Sequence, residues 1–538
     1  MPKLLAKHFG LLVLTVLAAV IGVFYFTQPR FIRHQDAPFL SFNDLRKISY
    51  NIEPGFLLKR RLQKFWETPI IDNRAYYHGA KPHRPSDEKL GDYLRVVSWN
   101  IEKSFHMSDA VKLFTAKGNA AEMFDPGEAA AGSEKFENAM RQREKLLNAD
   151  VILLQEMDIG VKRSGYVNAA ALLAEELDMN YAFAPEQLEV DPVLLGLEKI
   201  TYSDGSIDQE ATDYFAVDPA KYKGAFGCAV LSRYPIKKVR AFQLATQPYN
   251  WNAQELQGFG FLEKTRRVGA KVVFENEITR EVKRGGRIFF RVDLHVPGLP
   301  EDTLTIINIH LEIKCQPQGR EMQMAEILYY IKDIRHPVIV AGDFNAAPED
   351  LSATSVKRVA VRTAKDPTAW FSAATTALLP HALIINTTRF LSNFTKNLQD
   401  PLAPDIAVVA PNPVHELFRM IQNYRFADGG AFDFRGDENR SINGKSGALA
   451  NSNERDNKGF ETTFSVKRPV AAIFGKYRLD WVFVKSYLKE PFDRKSTYRF
   501  APHRGETLEE MHTSLRKMIS DHHPNVVDIP YEEPKIAV

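Results

Sequence analysis

Short apolar runs that stop abruptly at a polar or charged residue recur along this chain, with helical stretches between them. LRVVSWN (94–100) predicts a strand ending at Asn100, and DVILLQE (150–156) a second ending at Glu156. Between and after them, FENAMRQREKLLN (136–148) and NAAALLAEEL (168–177) predict helices: Met140, Leu146 and Leu147, then Ala171, Leu172, Leu173 and Leu177, follow helical spacing. The next half predicts an antiparallel meander over FGCAVLSRYPI (226–236), VGAKVVFE (268–275), RIFFRVDLHV (287–296) and LTIINIHLE (304–312). A helix over GREMQMAEILYYIKDI (319–334) and a strand over PVIVAGDFN (337–345) follow. Mixed β-sheets carrying helices on their outer faces are the natural packing for such a succession, an α/β fold.

The amino-terminal part reads differently. His8 to Phe26 is nineteen positions without a formal charge, long enough to cross a hydrocarbon core of roughly 30 Å at about 1.5 Å per residue. A cleaved signal is the competing reading, but the run ends in bulky Phe24, Tyr25 and Phe26 with no small-x-small site. The expectation is a short tail (1–7), a transmembrane anchor (8–26), and a proline-punctuated stalk (27–93) packing on a domain over 94–530. Insertions are placed at about 187–223, 246–290 and 350–475. Basic residues lie on both sides of the span, so charge does not fix its orientation; an uncleaved amino-terminal signal places the domain outside the cytoplasm. Within the stalk, GFLLKRRLQKFWE (55–67) gathers Leu58, Leu62, Phe65 and Trp66 on one helical face and Lys59, Arg60, Arg61 and Lys64 on another. That face suits either an anionic membrane surface or solvent over a docked helix.

Composition adds bounds. The chain has 538 residues, 44% hydrophobic and 25% charged, enough for a large core, and 70 basic against 67 acidic residues give a net +3, too balanced to argue for a nucleic-acid partner in bulk. With only Cys228 and Cys315, a disulfide framework is excluded and a thiolate metal site lacks ligands. The basic stretch from Thr265 to Arg287 reads first as a solvated hairpin edge and second as phosphate steering. The Gly-, Asn- and Asp-rich run from Asp428 to Gly459 reads as a long mobile loop.

The chemistry sits where the apolar runs stop. Asn100 offers an amide at a strand tip, where the default is an Asx turn. Glu156 follows four apolar positions and Gln155 and must be paired, metal-bound or protonated if buried; Glu102 and Asp158 are second-line candidates two residues further on. His310 closes LTIINIH, and Asp343 and Asn345 in GDFN lie at another strand end on one side, suited to positioning a water and binding a phosphate oxygen. Asp480 in RLDW, and Asp521 with His522 and His523 in SDHHP, supply a carboxylate-supported imidazole. Arg233 in LSRYPI is equally a phosphate contact or a structural ion pair.

Together SWNIE, LLQEMD, NIHLE, GDFN, RLDW and SDHHP resemble the motif set of the endonuclease/exonuclease/phosphatase superfamily, which includes deoxyribonucleases, apurinic endonucleases, sphingomyelinases, deadenylases and inositol polyphosphate phosphatases. The resemblance implies a four-layered α/β sandwich of two packed mixed sheets and a requirement for Mg²⁺ or Mn²⁺. It implies Glu156 as principal metal ligand, with Asn100 beside it and Asp521 as a further acidic ligand. Asp343 orients or deprotonates water, Asn345 and His310 hold phosphate oxygens, and His522, oriented by Asp480, stabilises charge. The inositol-phosphatase signatures, a Trp before GD and a Pro-Ala-Trp-Cys-Asp-Arg run, are absent, whereas HLE followed by Arg320 and Gln323 is similar to the phosphodiesterase and deadenylase side. The expected activity is hydrolysis of a phosphodiester, in nucleic acid or a phospholipid headgroup, by a monomer with no protein partner. A phosphomonoesterase and a tethered binding module without catalysis are the alternatives.

Overall fold

The computed structural model describes residues 31–50, 53–115, 120–200, 205–256, 281–346, 405–407, 410–411, 414–435, 447–456, 459–465, 476–488, 498–500 and 504–533. Their strands assemble into two large sheets. The first runs in the order His34–Gln35, Ile70–Asp72, Asn180–Glu189, Ala225–Ser232, Val151–Ile159, Gly91–Asn100, Asn525–Pro530, Arg504–Thr507. The second runs Asp480–Lys485, Val338–Asp343, Thr303–His310, Ile288–His295, Ile236–Gln243. Each is mixed: Gly91–Asn100 pairs parallel with Val151–Ile159, and Thr303–His310 parallel with Val338–Asp343, while their other main pairings are antiparallel.

Alternation along each strand builds three cores. Leu94, Val96, Val151 and Leu153 point from the first sheet to meet Phe290, Val292, Ile306, Ile339 and Val482 of the second. Their neighbours Val97, Trp99, Ile152 and Leu154 point the other way, against Leu113, Phe114, Leu146 and Leu173 from helices Met107–Phe114, Glu134–Leu147 and Ala169–Glu176. On the far face of the second sheet, Ile307, Val340, Trp481 and Phe483 pack against Met324, Ile327, Leu328, Leu417 and Phe418 from helices Pro317–Ile331 and His415–Asn423. The result is the expected order of layers: helices, sheet, sheet, helices.

Several expectations need revision. Asn180–Glu189 was not foreseen as a strand, because Pro185, Glu186, Gln187 and Glu189 interrupt its apolar run; the structure buries all ten residues and shifts register between Pro185 and Gln187. The strand of RLDW begins at Asp480, not before it. The segment 447–456 is no mobile loop: Asn451, Ser452 and Asn453 are buried. Asn453 brackets the outer strand of the second sheet, its Oδ1 accepting from Val482 N–H at 3.0 Å and its Nδ2 donating to Val482 O at 3.0 Å. Nor do Lys283 and Arg287 lie on a solvated hairpin edge, since both are buried. Nearby, Arg284 donates to the carbonyls of Ile48 and Tyr50.

The described part of 31–93 joins the first sheet through the strands His34–Gln35, Ile70–Asp72 and Ser86–Asp87 and supplies Leu45, Ile48, Phe65 and Ile70 to the core. Helix Phe56–Glu67 buries Leu58 and Phe65 and leaves its basic face in solvent, the docked form of the two expected. None of the described helices is long and apolar enough to cross a membrane. Residues 8–26, VGAKVVFE (268–275) and all of 350–404 lie outside the described residues.

Candidate active site

Register brings the predicted residues together. In the second sheet His310 is level with Asp343, and Asp343 level with Asp480, so three strands present three functional side chains in one row. Gly342 permits this closeness: its φ is +141°, and a Cβ there would lie 2.0 Å from Ile309 O. In the first sheet Asn100 ends one strand, and its neighbour carries a β-bulge between Leu154 and Met157. Glu156 lies in that bulge with φ +59°, a left-handed conformation rare outside glycine. The bulge re-aims its carboxylate, a recurrent use of bulges beside active sites.

The row and the tip meet at Asp343. Asp343 Oδ2 accepts hydrogen bonds from Asn100 Nδ2 at 3.0 Å and Asn345 Nδ2 at 3.2 Å, while Oδ1 accepts from the Asn345 main-chain N–H at 2.8 Å. His310 Nε2 and His522 Nε2 each lie 3.9 Å from Asp343 Oδ2. His310 Nε2 is also 3.7 Å from Glu156 Oε1. Burial raises the Asp343 carboxyl above its usual range, and nearby Asp480 adds to that against the pull of the two imidazoles.

Each histidine has a carboxylate behind it. His522 Nδ1 sits 2.8 Å from Asp480 Oδ2. Burial disfavours its cation, but Asp480 and Asp343 overcome that and raise its pKa well above 6.5. The loop holding it is pinned by Trp99 Nε1–H to His522 O, 2.8 Å, and by Ser520 Oγ–H to Asn100 O, 2.7 Å. His310 Nδ1 lies 2.9 Å from Glu186 Oε2, in the strand that went unforeseen. Arg287 spans Glu186 (3.2 Å) and Glu312 (3.3 Å), with its guanidinium 2.6 Å from His310 Nδ1. Both groups were missed: Glu186 behind Pro185, and Arg287 as one charge in a basic run. The available signal was that a buried histidine at a strand end needs a buried acceptor.

Glu156 keeps one oxygen for this centre. Its Oε2 accepts the Lys103 main-chain N–H at 3.0 Å, and Oε1 faces His310. Burial favours its protonated form, yet the charges of His310, Lys103, Lys283 and His522 lower its pKa. An ionised carboxylate and the Asn100 amide form a hard-oxygen donor set, the kind that suits Mg²⁺ or Mn²⁺. Asp521 is half-buried next to His522, whose pKa it helps to raise. His523, the alternative to His522, instead faces the His512 ring, Nδ1 to Nδ1 2.9 Å. Asp158, a second-line candidate, pairs with Arg163 at 2.6 Å; burial brings its pKa up to about 7. Glu102 flanks the centre, its main-chain N–H donating to Asn100 Oδ1 at 3.0 Å.

A second cluster, Glu186, Cys228 and His310, holds three ligand-type atoms within 4.8 Å of one another. Burial and Glu186 keep the Cys228 thiol protonated, and the buried guanidinium of Arg287 stands beside Glu186 and His310. A cation there would face that charge, so the cluster is better understood as the support of His310.

Arg233 does not join the site. Its guanidinium donates to the carbonyls of Ala149 (3.0 Å), Leu177 (2.8 Å) and Leu147 (3.0 Å), tying two helix ends to a strand end, and the expected substrate contact is withdrawn.

A profile of the Endonuclease/Exonuclease/phosphatase family matches residues 97–522. Among solved structures, an endonuclease/exonuclease/phosphatase from Beutenbergia cavernae DSM 12333 is 15% identical, with 83% of this chain and 73% of that one covered and a TM-score of 0.35. The human nocturnin catalytic domain with bound sulfate is 11% identical (81% and 94% covered, TM-score 0.32). An AP endonuclease from Archaeoglobus fulgidus is 12% identical (82% and 100%, TM-score 0.34). No curated protein matches the chain. On the family match over most of its length, the chain belongs to the endonuclease/exonuclease/phosphatase family and is an enzyme that hydrolyses phosphate esters.

Proposed function

We propose that this enzyme hydrolyses phosphodiesters with a water activated by Asp343. The observation that carries the reading is the convergence on Asp343 Oδ2 of Asn100, Asn345, His310 and His522, drawn from both sheets and a loop. A carboxylate with a raised proton affinity, held by two amides, is a competent general base for a water in the mouth of the site. Protonated His522 faces the same point and stabilises negative charge as it builds on the phosphoryl oxygens. His310 and Asn345 orient the phosphate. Glu156 and Asn100, with Asp521, would hold Mg²⁺ or Mn²⁺, which supplies Lewis-acid polarisation of the phosphoryl group. We place the enzyme at a membrane through 8–26, with its domain extracytoplasmic, as a monomer acting on nucleic acid or a phospholipid headgroup.

Glu156→Gln in the detergent-solubilised full chain should lower Mg²⁺-dependent turnover of bis-p-nitrophenyl phosphate by about 10³-fold without changing the thermal unfolding midpoint appreciably. Unchanged turnover would sink the assignment of Glu156. A parallel assay with p-nitrophenyl phosphate decides between diester and monoester: a higher kcat/KM on the monoester overturns the phosphodiesterase reading.

A further inference from the structure

Beside the Glu156 mouth stands a group of lysines that the reaction as described does not use. Lys103 reaches it from a turn in which Glu102, Lys103 and Ser104 all have positive φ. The Lys103 main-chain N–H is on Glu156, while its Nζ lies 2.6 Å from Glu281 Oε1. Lys283, buried over the rings of Phe226 (4.7 Å) and Trp251 (4.9 Å), places its Nζ 2.5 Å from Glu281 Oε2. Lys314 lies over the other lysine's tryptophan at 4.2 Å and pairs with buried Glu255 at 2.7 Å. Phe226 in turn lies against the His310 ring, centroids 6.4 Å apart, so the group borders the reaction centre directly.

We propose that Lys103, Lys283 and Lys314 form a second anion subsite for a further phosphate of the substrate, a place that the Glu281 carboxylate fills in this structure. The inference rests on the phosphodiesterase reading and narrows it to substrates carrying at least two phosphates. Carboxylate and phosphate oxygens are interchangeable acceptors for an ammonium point charge. Glu281 is gripped as a bound anion would be: against burial, the three lysines hold its carboxyl well below the usual range. Its side chain is nevertheless 21% exposed, unlike Glu255 at 0%, so it alone of the two carboxylates faces outward. Three ammonium groups against two carboxylates leave one positive charge; with Glu281 displaced they leave two, matched to a terminal phosphate of about −1.5 to −2. Lys103 joins the two places, its main-chain N–H on Glu156 and its Nζ on Glu281.

The test compares thymidylyl-thymidine with the same dinucleotide bearing a 5′ or 3′ terminal phosphate, on the Mg²⁺-loaded full chain. Wild type should favour one of the phosphorylated forms at least tenfold in kcat/KM, chiefly through KM. Lys314→Met and Lys283→Met should each cut that preference to below threefold, and Glu281→Gln should widen it severalfold. Lys314 is the more exposed, so its variant keeps the test informative if Lys283→Met fails to fold. A preference that is absent in wild type, or unmoved in Lys314→Met and Glu281→Gln, overturns the subsite. Wild-type turnover of bis-p-nitrophenyl phosphate, measured alongside, separates the failures: its loss strikes the hydrolase reading, its presence with a flat preference strikes the subsite alone.

Discussion

The two histidines of the site are both buried, both backed by a carboxylate through Nδ1, and both 3.9 Å from the same oxygen of Asp343, yet they sit in opposite electrostatic company. Behind His522 stands Asp480, whose Oδ1 has no hydrogen-bond partner among the described residues, so its charge bears on the imidazole undivided. Behind His310 stands Glu186, shared with Arg287, which Glu312 also anchors. The lesson is that two like carboxylate–histidine pairs can be held differently: Asp480 leaves one oxygen without a hydrogen-bond partner among the described residues, whereas Glu186 Oε2 is shared between His310 and Arg287.

The strongest way to break this comparison is Asp480→Asn, expected to lower kcat by about 10³-fold, because protonated His522 loses its undivided counter-charge. Glu186→Gln should cost less, about 10²-fold, since Arg287 still orients the His310 ring. If the two losses came out reversed, the division of roles between the histidines would be wrong.

Stability against pH sharpens the same contrast. The His522 pKa is raised in the folded state, so its pairing contributes stability that is fully present below about pH 6.5 and is lost as pH rises through the higher folded value. In chelator-treated protein, Asp480→Asn should therefore unfold at a lower temperature than wild type at pH 6, with the gap narrowing towards alkaline pH. Calorimetric scans across that range check the sign. The smallest effect on turnover belongs to Arg233→Met, which should leave kcat within about twofold while removing hydrogen bonds to three buried carbonyls, a loss of about 3 kcal/mol measured by denaturant unfolding.

What the sequence discloses, and what it hides, follows from where apolar runs end. Asn100, Glu156, His310 and Asp343 each close or nearly close such a run, and their convergence follows once the strands of each sheet stand side by side and the two sheets pack together. Glu186 is hidden because Pro185 and Gln187 break the pattern in a strand that is buried throughout. Arg287 is hidden because a charged residue among six other basic ones resembles a solvated edge, whereas its partners are Glu186, in a strand well before it in sequence, and Glu312, in the loop after the strand that ends at His310. The left-handed bulge at Glu156 has no sequence signature at all, since glycine is not used there. Likewise, Arg233 stands one residue beyond a strand that runs antiparallel to Val151–Ile159, so it emerges at the end of the sheet opposite Glu156, and only the tertiary structure shows its guanidinium turned to main-chain carbonyls.

The bracket that Asn453 places on Val482 also bears on solubility. The strand carrying Asp480 is the rim of its sheet, and an unoccupied rim invites strand exchange with another copy. By answering both polar groups of Val482, one amide side chain, lent by a segment rich in asparagine and glycine, seals that rim where Asp480, the partner of His522, must stay put.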